Sequence, residues 1–155
     1  NDPAACYPAA ALALAATIFT SARSLAADDF LRGMYETCLA ADEIVTAVSF
    51  KIPNRAAYLK FNHPASRFAL VGVFVAEHAD AVRVAVTGAG LRGAFRLPAM
   101  EAALQRSFSC QSLAGIRIDP GELAGDLHAS AEYRAHLVSV LAQRAVAQLT
   151  GESLQ

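Results

Sequence analysis

Apolar and polar positions alternate along three consecutive stretches in the middle of the chain. They are "AAYLKFNHP", "SRFALVGVFVAEH" and "AVRVAVTGAG", and in the last Val82, Val84 and Val86 are set against Arg83 and Ala85. A short "HADA" turn joins the second stretch to the third, which predicts a hairpin of 68–77 with 82–88. Upstream, "DEIVTAVSFKIP" places Ile44, Val48, Phe50 and Ile52 largely on one alternating face, a strand that Pro53 stops. At the front, "PAAALALAATIFT" has Pro8 at a helix-start position and ends in β-branched residues, so a short helix runs into a strand. The polar, mixed "SARSLAADDFLRG" then reads as a turn and a short strand closing a small α/β unit.

The period changes in the last third. "LPAMEAALQRSF" carries Pro98 in a first turn and apolar Met100, Ala103 and Leu104, which predicts a helix near 97–107. Beyond a Pro-Gly turn, "SAEYRAHLVSVLAQRAVAQL" predicts a helix over 130–149, with Ser130 as N-cap, Glu132 in the first turn and Gly151 as terminator. Its broad apolar stripe runs through Tyr133, Leu137, Val140, Leu141 and Leu149, with Val138 and Val146 beside them. Strands followed by helices predict an α+β fold: a three-stranded antiparallel sheet with helices packed on it.

Composition narrows the function classes. With 155 residues, 55% hydrophobic and 17% charged, the chain has enough apolar material for a sizeable core. A net charge of −1 implies no nucleic-acid partner. The longest apolar stretch, Pro8 to Phe19, is too short for a membrane span. Cys6, Cys38 and Cys110 are far apart and form no metal-ligand cluster, so they read as reduced thiols of a cytosolic protein.

Few residues suggest chemistry. Gly88, Gly90 and Gly93 have G-x-G-x-x-G spacing after a strand, but Pro98 delays the helix and the "FSCQS" region about 20 positions on has no acid, so they read as a sheet-to-helix turn. His63, His78, His128 and His136 are scattered, and His136 reads as a surface residue. The adjacent pairs Asp28–Asp29 and Asp42–Glu43 read as solvated turns.

The opening "NDPAACYPAAALAL" resembles a stretch of the FAD-binding medium subunit of the molybdenum hydroxylases, the family of aerobic carbon monoxide dehydrogenase and of the xanthine dehydrogenase flavoprotein. Asp2, Pro3, Ala4, Ala5 and Pro8 carry that likeness. It continues through Gly33, Thr37, Leu39, Glu43, Ile44 and Pro53, then "YLKFNHPASRFALVGV", "VTGAG" and the Tyr133–Arg134 pair. The resemblance implies a remnant of an FAD-binding domain over 1–53 and a carbon-monoxide-dehydrogenase-flavoprotein-like C-terminal domain over 54–155. It further implies that two glycine-rich pyrophosphate turns belong ahead of Asn1, so that a fragment or a truncated or split gene is expected. The cofactor it implies is FAD, with Asp2, Cys6, Val45 and His63 on the flavin side; Cys6 stands where the family carries an aspartate. The implied partners are a small iron–sulfur subunit and a large molybdopterin subunit, and the implied role is cytoplasmic electron transfer from the clusters through FAD to an acceptor. A second reading is a non-enzymatic interaction module that keeps only the C-terminal domain.

Overall fold

The computed structural model describes residues 1–153. Helix α1 (Cys6–Ala13) starts two residues ahead of Pro8, whose missing N–H costs nothing in a first turn. The chain then reverses at Ala15, whose φ is 47°, and enters β1 (Thr17–Thr20). Strand β1 is the centre of a small antiparallel sheet, flanked by β2 (Ser24–Ala26) and β5 (Val45–Ser49). Between them lie a single helical turn, α2 (Ala27–Phe30), and the short ladder of β3 (Leu31–Gly33) with β4 (Glu36–Thr37).

The predicted three strands form β6 (Arg55–Asn62), β7 (Ala69–Glu77) and β8 (Val82–Thr87), all antiparallel. A two-residue strand, β9 (Phe95–Arg96), extends the edge by pairing with Ala85 and Val86. Successive side chains of a strand point to opposite faces, and the two faces of this sheet are built differently. Val71, Val73 and Val75 of β7, with Val84 and Val86 of β8, are fully buried against the main helices. Those helices are α3 (Pro98–Arg106) and α4 (Ala131–Thr150). The other face presents Ala76 and Ala85, and α1 lies against it through Ala9 and Ala13. Small residues on both sides allow that close approach.

Helix α4 has its expected caps. The Ser130 hydroxyl accepts from the Tyr133 amide at 3.2 Å, and Gly151 closes the helix at φ 74°. One turn of the stripe differs from the pattern. Tyr133 is exposed, standing edge-on to Phe61 with ring centroids 6.4 Å apart, and Arg134 is the buried residue. Leu137, Val138, Leu141 and Val146 face the sheet as the period requires. The face of Ile44, Val48, Phe50 and Ile52 also departs from expectation. All four are exposed, and only Val48 lies within β5, the edge strand of its sheet.

The glycines of "VTGAGLRG" are explained by the backbone. Gly88 has φ 82°, and a Cβ there would lie 2.5 Å from the Ala69 carbonyl oxygen. A Cβ on Gly90 would lie 2.5 Å from the Gly93 oxygen. They permit a tight crossing from β8 to β9, not a phosphate loop.

Candidate functional site

The segment ahead of α1 is fastened to the end of β8. The buried Thr87 hydroxyl lies 2.9 and 2.7 Å from the Pro3 and Ala5 carbonyl oxygens, which share its one proton, and the Gly88 amide donates to Pro3 at 2.7 Å. Asp2 accepts from the Ala4 amide at 2.9 Å, so its carboxylate shapes the turn that leads into the helix. Cys6 is thereby set at the first position of α1. The exposed ammonium of Lys60, on β6, approaches its Sγ at 3.7 Å and donates to the Arg67 carbonyl at 3.3 Å. Beside them the Tyr58 hydroxyl is buried without a hydrogen-bond partner; burial first, and the Cys6 thiol second, raise its pKa. Gly72 makes room for that hydroxyl, since a Cβ there would approach it to 2.5 Å.

His63 closes the same region. Its Nδ1 accepts from the amides of Ala65 and Ser66, each at 3.2 Å, which leaves Nε2 to carry the proton of the neutral ring. Its ring stands edge-on to His128, 4.3 Å between centroids, so the fold pairs two histidines that are remote in sequence. His63 also walls a cleft of about 290 Å³ with Pro3, Ala4, Phe68, Gly88 and Arg134. Arg134, only 4% exposed, donates to the Leu70 and Gly88 carbonyls at 2.6 Å each and to Asp126 at 2.7 Å. Burial works to raise the Asp126 pKa, but the amides of His128 and Ala129 and the Arg134 charge hold it below the ordinary value. Arg134 is thus a clamp on the cleft floor, with its charge already matched.

Among the four residues expected on the flavin side, the fold fastens Asp2 and Cys6 into one turn and sets Lys60 of β6 beside Cys6. His63 borders the neighbouring cleft that Pro3 and Ala4 wall. Val45 is 41% exposed opposite Thr20 on β5 and lines none of the described clefts. Lys60 escapes a sequence reading because nothing local ties it to Cys6. Among the described residues, no cluster of three or more His, Cys, Asp or Glu is placed to hold a metal.

Two carboxylates that read as solvated turns are instead paired. Asp28 binds Arg83 at 2.8 Å and Arg96 at 2.9 Å. Glu43 accepts from Thr20 Oγ1 at 2.6 Å, from Arg23 at 2.9 Å and from the Ala40 amide at 3.0 Å. Led by the Arg23 hydrogen bond, these donors lower its pKa from 4.5 to about 2. A depressed carboxylate contributes stability that is present above its unfolded pKa and lost as pH falls through the folded one. Glu43→Gln should therefore be less stable than the parent at pH 6, with the gap closing between about pH 4.5 and pH 2. Urea midpoints of both proteins across that window check this; a gap independent of pH would show that Glu43 does not act through its charge.

No family model matches the chain. Over 136 residues, 81% of the chain, it is 35% identical to the nicotine 6-hydroxylase medium subunit of Paenarthrobacter nicotinovorans. The chain is a relative of the medium subunits of molybdenum hydroxylases. The match covers 48% of that protein, so the chain spans about half the length of its curated relative. Two solved structures share this chain's fold. Quinoline 2-oxidoreductase from Pseudomonas putida 86 superposes with a TM-score of 0.75 at 23% identity, covering 95% of this chain and 56% of that one. Carbon monoxide dehydrogenase from Hydrogenophaga pseudoflava gives 0.70 at 24% identity, covering 94% and 56%. These likenesses agree with the α+β fold expected of a medium-subunit relative. No helix among its described residues is long and apolar enough to cross a membrane.

Proposed function

We propose that the chain supplies the flavin-ring side of a medium subunit in a cytoplasmic molybdenum hydroxylase. In that enzyme electrons from iron–sulfur clusters in a small subunit reach FAD and then an external acceptor, while substrate is oxidised in a large molybdopterin subunit. The observation that carries the reading is the 35% identity to a medium subunit along most of the chain. The proposed division sets residues 1–53 as part of the FAD-binding domain and 54–155 as the C-terminal domain.

The residues beside Cys6 suit a flavin. The exposed Lys60 ammonium offers hydrogen-bond donors and positive charge to a ring carbonyl or to a ring nitrogen that gains electron density. Cys6, a weak donor, takes the place of a carboxylate, and the half-buried His63 presents an Nε2–H. Bound FAD supplies the exchange between one-electron carriers and a two-electron acceptor; the protein positions the ring and tunes its surroundings. Asp2 contributes by holding the turn that places Cys6. Val45 would take part only as an apolar edge of the ring site.

The test uses a subunit completed with the upstream half of the nicotine 6-hydroxylase medium subunit. Lys60→Met should weaken flavin binding about 10-fold or more, the loss of one charge-assisted hydrogen bond. Fluorescence titration of apoprotein with FAD reads this. Unchanged affinity in both Lys60→Met and Cys6→Ala would remove the flavin from this side of the chain.

A further inference from the structure

We propose that His63 is a proton-operated latch on the loop 63–68, so that acid opens one wall of the cleft floored by Arg134. The loop joins β6 to β7. The His63 amide donates to the Phe68 carbonyl at 2.8 Å, and the Arg67 amide donates to the His63 carbonyl at 2.9 Å. The ring supplies the third tie, because Nδ1 accepts from the amides of Ala65 and Ser66, each at 3.2 Å. An imidazolium carries a proton on both nitrogens and accepts nothing. At Nδ1 a proton and the two amide bonds therefore exclude one another.

Three further observations make this tie a switch and not only a brace. Arg67 has φ 64°, a left-handed conformation that is unfavourable for a residue with a Cβ, so the loop keeps its shape only while its ties hold. His63, Ser66 and Phe68 wall the cleft, and the Arg67 carbonyl accepts from Lys60 at 3.3 Å, so release of the loop reaches both places. The His128 ring stands edge-on with its centroid 4.3 Å away, and two charged rings at that separation would repel. The surrounding charges act in the same sense. Lys60 of β6, Arg67 of the loop and Arg134 of α4 are cations. Asp126 gives its oxygens to Arg134 and to the amides of His128 and Ala129. Asp2, ahead of the Pro3 wall, accepts from the Ala4 amide. Neither carboxylate bonds to His63. Protons thus bind the open loop better than the closed one, and acid shifts the balance toward opening. The latch needs no flavin.

The experiment is NMR of the full 155-residue chain between about pH 8 and pH 5, the range in which imidazoles gain charge. Ring nitrogen shifts at the alkaline end should place the His63 proton on Nε2; a proton on Nδ1 would overturn the proposal. On acidification the Ala65 and Ser66 amides should lose about 10-fold or more of their protection against solvent exchange, after correction for the intrinsic rate. The Val73 amide, in the fully buried part of β7, should keep its protection. Loss at Val73 in step with the loop would mean global unfolding and would sink the idea of a local latch. In His63→Asn the side-chain oxygen accepts the same two amides and does not titrate, so the loop should stay closed at the acid end. A transition that persists in His63→Asn, or loop amides indifferent to pH in the parent, would overturn the proposal. His128→Asn should keep the transition; its loss there alone would move the latch to the other ring and overturn the assignment to His63.

Discussion

A chain carrying Leu137→Asp should lose most of its resistance to urea. Leu137 is 6% exposed on α4 and packs in the cluster formed with the buried valines of β7 and β8. The change removes a buried apolar side chain and leaves a carboxylate with no cation or donor assigned to it. Loss of the leucine alone costs about 2–5 kcal/mol, and burying an unpaired charge adds to that. A domain of this size holds only about 5–15 kcal/mol in total. The midpoint should therefore fall by about half or more with the slope unchanged. A midpoint equal to the parent's would show that the α4 stripe does not seal the sheet. His136→Asp, one position away and exposed, should move the midpoint little and separates burial from helix propensity.

Much of the architecture around Leu137 is legible without coordinates because its signals are local. The β7–β8 hairpin shows in the alternation of valines, and α4 shows in a serine cap, a 3.6-residue stripe and a terminal glycine. What escapes is set by partners distant in sequence. Strand β9 exists only because Phe95 and Arg96 meet Val86 and Ala85. Arg134 reads as a polar position, yet it is buried because the Leu70 and Gly88 carbonyls and Asp126 take up its two terminal nitrogens, while Tyr133 beside it is exposed. Glu43 looks like half of an exposed acidic pair until Arg23 and Thr20 close on it. The approach of Lys60 to Cys6 likewise depends on how β6 passes the start of α1, and no spacing rule encodes that. The β5 strand was legible as an element, but alternation cannot say whether its apolar face is covered.

The purified 155-residue chain should be colourless, and FAD fluorescence should not change on titration at micromolar protein. FAD is held in such folds largely through its diphosphate, which needs several backbone N–H groups converging on one point. Gly88 and Gly90, the glycines at fingerprint spacing, spend their freedom on a backbone crossing, and the Gly88 amide is already bonded to Pro3. On the proposed reading, contacts from Cys6, Lys60 and His63 would reach only the flavin half. A few such contacts, less the cost of ordering ligand and side chains, give millimolar to micromolar dissociation constants. On the same reading Cys6 would widen the deficit, since a thiol would replace a charge-assisted bond with a weak one. Cys6→Asp alone should not restore binding, whereas the upstream half should tighten it by at least a thousand-fold. Stoichiometric yellow flavin on the isolated chain would mean that its main anchor lies within these residues.

Helix α1 rests on Ala76 and Ala85, residues that the ribosome delivers only after β1 to β6 and most of β7 have been made. At about 5–20 residues per second, several seconds separate the emergence of the helix from that of its bed. During that interval the eight-residue helix, too short to be stable alone, has only Ile18, Ala27 and Phe30 to pack against. The face of α1 that meets the large sheet therefore stays uncovered until β7 and β8 have been made. Slowing elongation between codons 14 and 76 should lower the soluble yield of this protein more than the same pause placed after codon 90.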